Sequence, residues 1–281
     1  MLDMVRGVLL GAALLAATPA FAQFGGRCTR DDMKKVADGY LAAVAEGNAI
    51  KIPMGNWMRY SENGDDSVSI NSGVFEKAKK IDYHHEFYDA QTCQIYVEFA
   101  STDPAHPYVA GTRISAGGGT TSEMEAVVTD AGDWLFDAAG TAKYANAEKW
   151  DKLGQPADRA AIKAAADAYL DYFKNKGTTV PWGTPCARLE GGLYTGKGQP
   201  TDSCNVGVPA NIDIVNRRYI IDEDQGAVAV FNAFGPSKRP DIHTFRVENG
   251  KIRYVHTLTV CDKPNCGLPM PGQQAAATPK S

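Results

Sequence analysis

Two long windows of this chain carry a helical spacing rich in Ala and Lys, about residues 30–46 and 157–175. Gly47-Asn48 marks the end of the first and Gly177 the end of the second, as glycine and asparagine do where a helix stops. A loop-rich stretch follows each. Alternating apolar and polar positions then predict strands near 81–88, 93–100, 107–115 and 121–129, and again near 212–221, 226–234, 241–248 and 251–260. Asn249-Gly250 between two alternating runs is a hairpin signal, and Gly117-Gly118-Gly119 takes the corresponding place earlier in the chain. Residues 147–158 read as a linker, and the Gly, Pro, Gln and Ala of 267–281 as a disordered tail.

The two series correspond. Ala37-Asp38-Gly39-Tyr40-Leu41 returns as Ala166-Asp167-Ala168-Tyr169-Leu170. In the same order, Tyr60 falls over Arg188, His85 over Arg218, Gln94-Ile95-Tyr96-Val97 over Ala227-Val228-Ala229-Val230, Gly111-Thr112-Arg113-Ile114 over Thr244-Phe245-Arg246-Val247, and Glu125 over His256. The offset stays between 128 and 133 residues, which predicts a duplicated unit.

Before the first unit, the apolar run Val8–Ala17, the break at Pro19 and the small-x-small Ala20-Phe21-Ala22 read as a signal peptide over 1–22. The run is about half the roughly 20 residues a membrane span requires. Six cysteines follow, an even number that in an exported chain predicts disulfides. Cys186–Cys204 would staple a glycine-rich loop, worth about 3 kcal/mol in the chain-entropy view. Cys261–Cys266 would pin the chain around Pro264, leaving Cys28–Cys93. No Cys-x-x-Cys pair favours a metal. The net charge of −4, without a basic cluster, argues against nucleic acid or an anionic membrane as partner. The expected partner is a small-molecule substrate, with a second copy of the chain as an allowed one.

The last hairpin, Phe245-Arg246-Val247-Glu248-Asn249-Gly250-Lys251-Ile252-Arg253, and the leading Ala-Asp-x-Tyr-Leu helices resemble the NTF2-like (SnoaL-like) superfamily in a secreted, two-unit form. The resemblance implies an α+β fold of two tandem NTF2-like units, at 28–150 and 155–265. Each would be one helix on a strongly curved antiparallel sheet, with a pocket between them. It fixes no reaction, since that fold serves isomerases, cyclases, lyases, hydrolases and proteins without activity.

No nucleophile elbow, phosphate loop or dinucleotide fingerprint occurs, so no cofactor is expected. Ionisable residues on strands remain, and these suit acid–base chemistry if a pocket shields them from water. His243 and His256 would fall on neighbouring strands of one hairpin, within reach of one substrate. They are the expected base, with Tyr219 or Tyr254 as proton donor and Arg218 as oxyanion partner. Arg188, Glu190, Trp182, His85 and Tyr60 are candidate substrate contacts. By alternation Glu125 should face solvent unless the sheets pack together, and Arg217 and Arg218 have Asp222, Glu223 and Asp224 as alternative ionic partners. A metal site from His243, His256 and Asp241 lacks a third ligand forced by spacing. The expectation is a secreted or periplasmic, cofactor-free lyase or hydrolase cleaving a C–O bond, or an isomerase, acting on an aromatic or carbohydrate-derived compound. The alternative is a non-catalytic binding or accessory module.

Overall fold

Helix α1 (Arg30–Glu46) begins where the Thr29 side chain accepts the Asp32 backbone N–H, and ends at Gly47 in the left-handed region, φ 61°. A side chain at Gly47 would collide with the backbone of Lys77 and Ala78, so glycine is required twice over. The protein is seen in a computed structural model that describes residues 28–269. The signal-peptide segment and the tail beyond 269 lie outside the described residues.

Five strands follow α1: β1 (Met54–Glu62), β2 (Tyr83–Asp89), β3 (Gln94–Ser101), β4 (Tyr108–Ser115) and β5 (Thr121–Thr129). A short helix α2 (Ala138–Ala145) leads to α3 (Arg159–Tyr172). Then come β6 (Trp182–Glu190), β7 (Leu193–Tyr194), β8 (Ile214–Asp222), β9 (Ala227–Phe234), β10 (Arg239–Glu248) and β11 (Lys251–Thr259). The sheets have the orders β1-β5-β4-β3-β2 and β7-β6-β11-β10-β9-β8. The eight alternating strands appear as expected. β1 and β6 do not: both occupy stretches read as loop, and each pairs parallel to the last strand of its sheet. The sheets are therefore mixed rather than antiparallel. β1 carries Gly55 and Asn56, poor strand formers, and its exposure does not alternate, so its sequence gives no period to find. Helix α2 was also unexpected.

Three apolar cores stack in sequence. α1 covers one face of the first sheet and α3 one face of the second, while the remaining two sheet faces pack against each other. Central strands such as β3 and β9 are consequently buried on both faces. The presumed linker 147–158 has no regular structure but is not loose: Trp150 is buried in the inter-sheet core, against His85, Phe87 and His256.

All three expected disulfides are present. Cys28–Cys93 ties the start of α1 to the turn before β3, and Cys186–Cys204 fastens β6 to the loop after β7. This cysteine usage suits an oxidising compartment. Among the described residues no helix is long and apolar enough to cross a membrane.

The halves grip each other by a reciprocal exchange. Asp222 of β8 accepts the Tyr88 N–H of β2 and pairs with Arg30 at the start of α1, at 2.8 Å. Asp89 of β2 accepts the Ile221 N–H of β8 and pairs with Arg159 at the start of α3, at 2.6 Å. Both aspartates are fully buried. Removing such a partner leaves a buried amide unmatched and takes from the cation its closest carboxylate. Asp222→Ala should therefore lower unfolding free energy by about 3 kcal/mol in urea titration. Lys34→Ala, which breaks only the exposed Lys34–Asp38 pair, should change it by less than about 0.5 kcal/mol.

Candidate functional site

Strand register decides which side chains can meet. His243 on β10 stands opposite Thr257 on β11, and Thr257 opposite Glu190 on β6. One step along, Thr244 stands opposite His256, and His256 opposite Leu189. Directly opposed residues share a face and adjacent ones do not. His243, Thr257 and Glu190 thus form a row on the α3 side, while His256 points between the sheets. The expected His243/His256 pair is not formed, and the metal reading that used both falls with it: hairpin register offsets the two histidines by one residue.

His243 is held from behind. Its Nδ1 lies 2.6 Å from Asp241 Oδ2, which also accepts the Asn232 side-chain N–H at 2.8 Å. The other Asp241 oxygen accepts the Thr259 hydroxyl proton. Asn232, Asp241 and Thr259 are themselves opposed across β9, β10 and β11, so one row of the sheet builds the whole support. Since the carboxylate can only accept, Nδ1 carries a proton, and in the neutral ring the lone pair is on Nε2. Among the described residues none hydrogen-bonds Nε2. His243 lines a cavity of about 380 Å³. Phe173, Ile212, Phe234 and Leu268 give the cavity apolar walls, and His243, Thr257 and Glu190 are at its polar end.

Thr257 is 6% exposed, and its hydroxyl has no hydrogen-bond partner among the described residues. Glu190 sits 3.1 Å from Arg188 Nε and accepts the Trp134 indole N–H at 3.3 Å. Arg188 is buried behind the lining, where its guanidinium donates to the Val206 carbonyl and the Tyr169 hydroxyl. The Gly191-Gly192 turn after β6 brings the chain against Trp134 and Leu135; a side chain at Gly191 (φ 60°) would collide with the Trp134 carbonyl.

The other candidates lie elsewhere. Tyr219 donates to Asp167 of α3, and Arg217 pairs with Asp167 and Asp171. Arg218 pairs with Glu125 of the first sheet at 2.7 Å, not with the acidic run 222–224. A bulge at Asn216 (φ 56°) shifts the register of β8 and separates these side chains. Glu125, also bound by Arg113, lies in the contact between the halves and not in solvent, because sheet packing overrides alternation. Trp182 packs on Tyr169 and Tyr172 outside the cavity lining, and Tyr254 packs on Trp150. Tyr60 donates to Glu62 at 2.6 Å, inside the first unit. His85 bonds Gln225 across the halves, and burial holds its pKa low.

His256 has a different role. Its Nδ1 lies 2.8 Å from Glu98 of β3 and its Nε2 2.8 Å from Glu148 in the segment after α2. Burial opposes its charge, but the two carboxylates outweigh that and hold its pKa at about 10. Burial likewise opposes ionisation of Glu98, yet the His256 charge and the Tyr96 hydroxyl keep it below the usual carboxylate range. The sequence does not single out Asp241, Asn232 and Thr259 as a support for His243, nor Thr257 beside it, nor Glu98 and Glu148. Only the i, i+2 spacing of Asp241 and His243 on one strand face was there to find.

The first unit has no such site. By strand register Thr112 stands where His243 does, Ala126 where Thr257 does, and Glu62 where Glu190 does. Matching β4 to β10 from the sequence alone misplaces this correspondence by two residues. Tyr40 bonds Thr112, and Glu62 is taken up by Tyr60 and the Val74 N–H, so the polar groups satisfy one another.

Residues 155–259 match the model of a family described as a domain of unknown function (DUF8021). That stretch contains β6 to β11, with Asp241, His243, Thr257 and Glu190. No protein among those with curated descriptions matches the chain.

The raised pKa of His256 has a consequence for stability. In the unfolded chain the group titrates near 6.5. Its contribution is therefore complete below that pH and disappears as pH rises through about 10. The urea midpoint should fall steadily between pH 6.5 and 10, and His256→Gln should lower it at pH 6 while flattening the slope. An NMR titration of the His256 ring that finds protonation lost near pH 6.5 would contradict this.

Proposed function

We propose that this is an exported, cofactor-independent acid–base enzyme whose second unit works and whose first supports it. The observation that carries this reading is His243: backed by a buried aspartate, it leaves Nε2 without a partner among the described residues at a largely apolar cavity. Such a base can take a proton from a C–H or O–H group of a bound molecule. Asp241 then stabilises the imidazolium and keeps the ring in the productive tautomer. Burial among aromatic rings restricts competing water. The reaction this suits is an elimination or hydrolysis at a C–O bond, or an isomerisation. The helix-on-sheet arrangement of each half, with a cavity between helix and sheet in the second, supports an NTF2-like reading, and the three disulfides support export.

Screening aryl ethers, lactones and uronic acids against the purified protein tests the proposal. On any substrate found, His243→Gln should reduce kcat by about 10²–10⁴, and Asp241→Asn should fall in the same range. His256→Gln should keep kcat per folded molecule while losing stability. Unchanged turnover in His243→Gln would overturn the assignment. Ligand binding without turnover of any screened compound would favour the binding-module alternative.

A further inference from the structure

The cavity's charges and its one unsatisfied hydroxyl restrict what it can hold. Two arginines are near it, and both are engaged. Arg188 is turned to Glu190, Tyr169 and Val206 behind the wall. Arg239, in the lining, donates through Nε and an Nη to Asp262, both at 3.2 Å. The carboxylate of Glu190 is in the lining, and that of Asp241 stands directly behind His243. An anionic ligand would thus meet carboxylates, while each guanidinium near them is already paired with one, Arg188 with Glu190 and Arg239 with Asp262, so its desolvation is poorly offset. A carbohydrate would bring several hydroxyls, most of them facing Phe173, Phe234, Ile212 and Leu268, where no partner awaits them. The polar end supplies one unused hydroxyl, on Thr257, directly opposite His243. At about 380 Å³ the space is near the lower end of the roughly 300–1,000 Å³ found for ligand cavities.

We infer that the cavity takes an uncharged compound with a compact apolar body, a single ring or short branched chain, and one carbonyl or hydroxyl oxygen at its end. That oxygen bonds Thr257 and lies beside His243. The inference rests on the His243 cavity being the functional site, but not on any reaction there. It excludes uronic acids and other anionic compounds.

Three probes of one body separate the terms: acetophenone, ethylbenzene without the oxygen, and benzoate with a charge. Titrated against the full protein by calorimetry or ligand-detected NMR, acetophenone should bind at least about fivefold more tightly than either of the others, the worth of one neutral hydrogen bond. Thr257→Val, which keeps the shape, should weaken acetophenone about fivefold and leave ethylbenzene unchanged. Benzoate binding as well as acetophenone, Thr257→Val without effect, or no probe bound at about 10 mM would each overturn the inference. The acid–base reading fails separately. If the probes behave as stated while His243→Gln retains turnover, the ligand class stands and the mechanism falls. If His243→Gln kills turnover of an anionic substrate, the mechanism stands and the class falls.

Discussion

Each sheet of this protein is apolar on both faces, so neither half can satisfy itself with its own helix. The second face of each must be covered, and the other sheet covers it. Polar groups caught in that layer have no water to turn to, and the charged ones find partners across the junction. The crossed Asp89 and Asp222 exchanges, the Gln225–His85 bond and the Glu98–His256–Glu148 triad are the resulting solution. They also fix the relative placement of the halves, because directional bonds to backbone amides tolerate little sliding.

That layer sorts the histidines. His256 faces it, is bonded at both ring nitrogens and carries charge as a permanent part of the packing. His243, one register step away, faces α3 and among the described residues is bonded at one nitrogen only. A base must have a free lone pair, so the same residue type on adjacent strands of one hairpin has a structural use in one case and a chemical opening in the other.

The two halves share strand order and leading helix, yet differ where the cavity lies. In the first, Tyr60, Glu62, Thr112 and Tyr40 close on one another and leave no polar group waiting. In the second, Asp241 and His243 take the places of Ala110 and Thr112, and Thr257 that of Ala126. Three differences on one sheet face thus supply polar groups to the wall of the second unit's cavity and its support, while the surrounding apolar positions keep the scaffold.

The sequence by itself determined the two helices, eight of the strands, the hairpin at Asn249-Gly250 and the three disulfide pairs. These follow from local spacing, turn chemistry and the redox logic of an even cysteine count, all of which act over short stretches or by elimination. The parallel strands β1 and β6 were not legible, since their pairing is with distant strands and their own residues carry no period. Nor was the site. His243 and His256 looked like partners because distance along a hairpin is readable, whereas the one-residue register that sends them to opposite faces is set by the turn and by what each face packs against. Glu125, Arg218 and Glu148 were likewise placed by the meeting of the two sheets. Tertiary structure decided these, because which side of a strand is wet depends on what covers it and not on the strand.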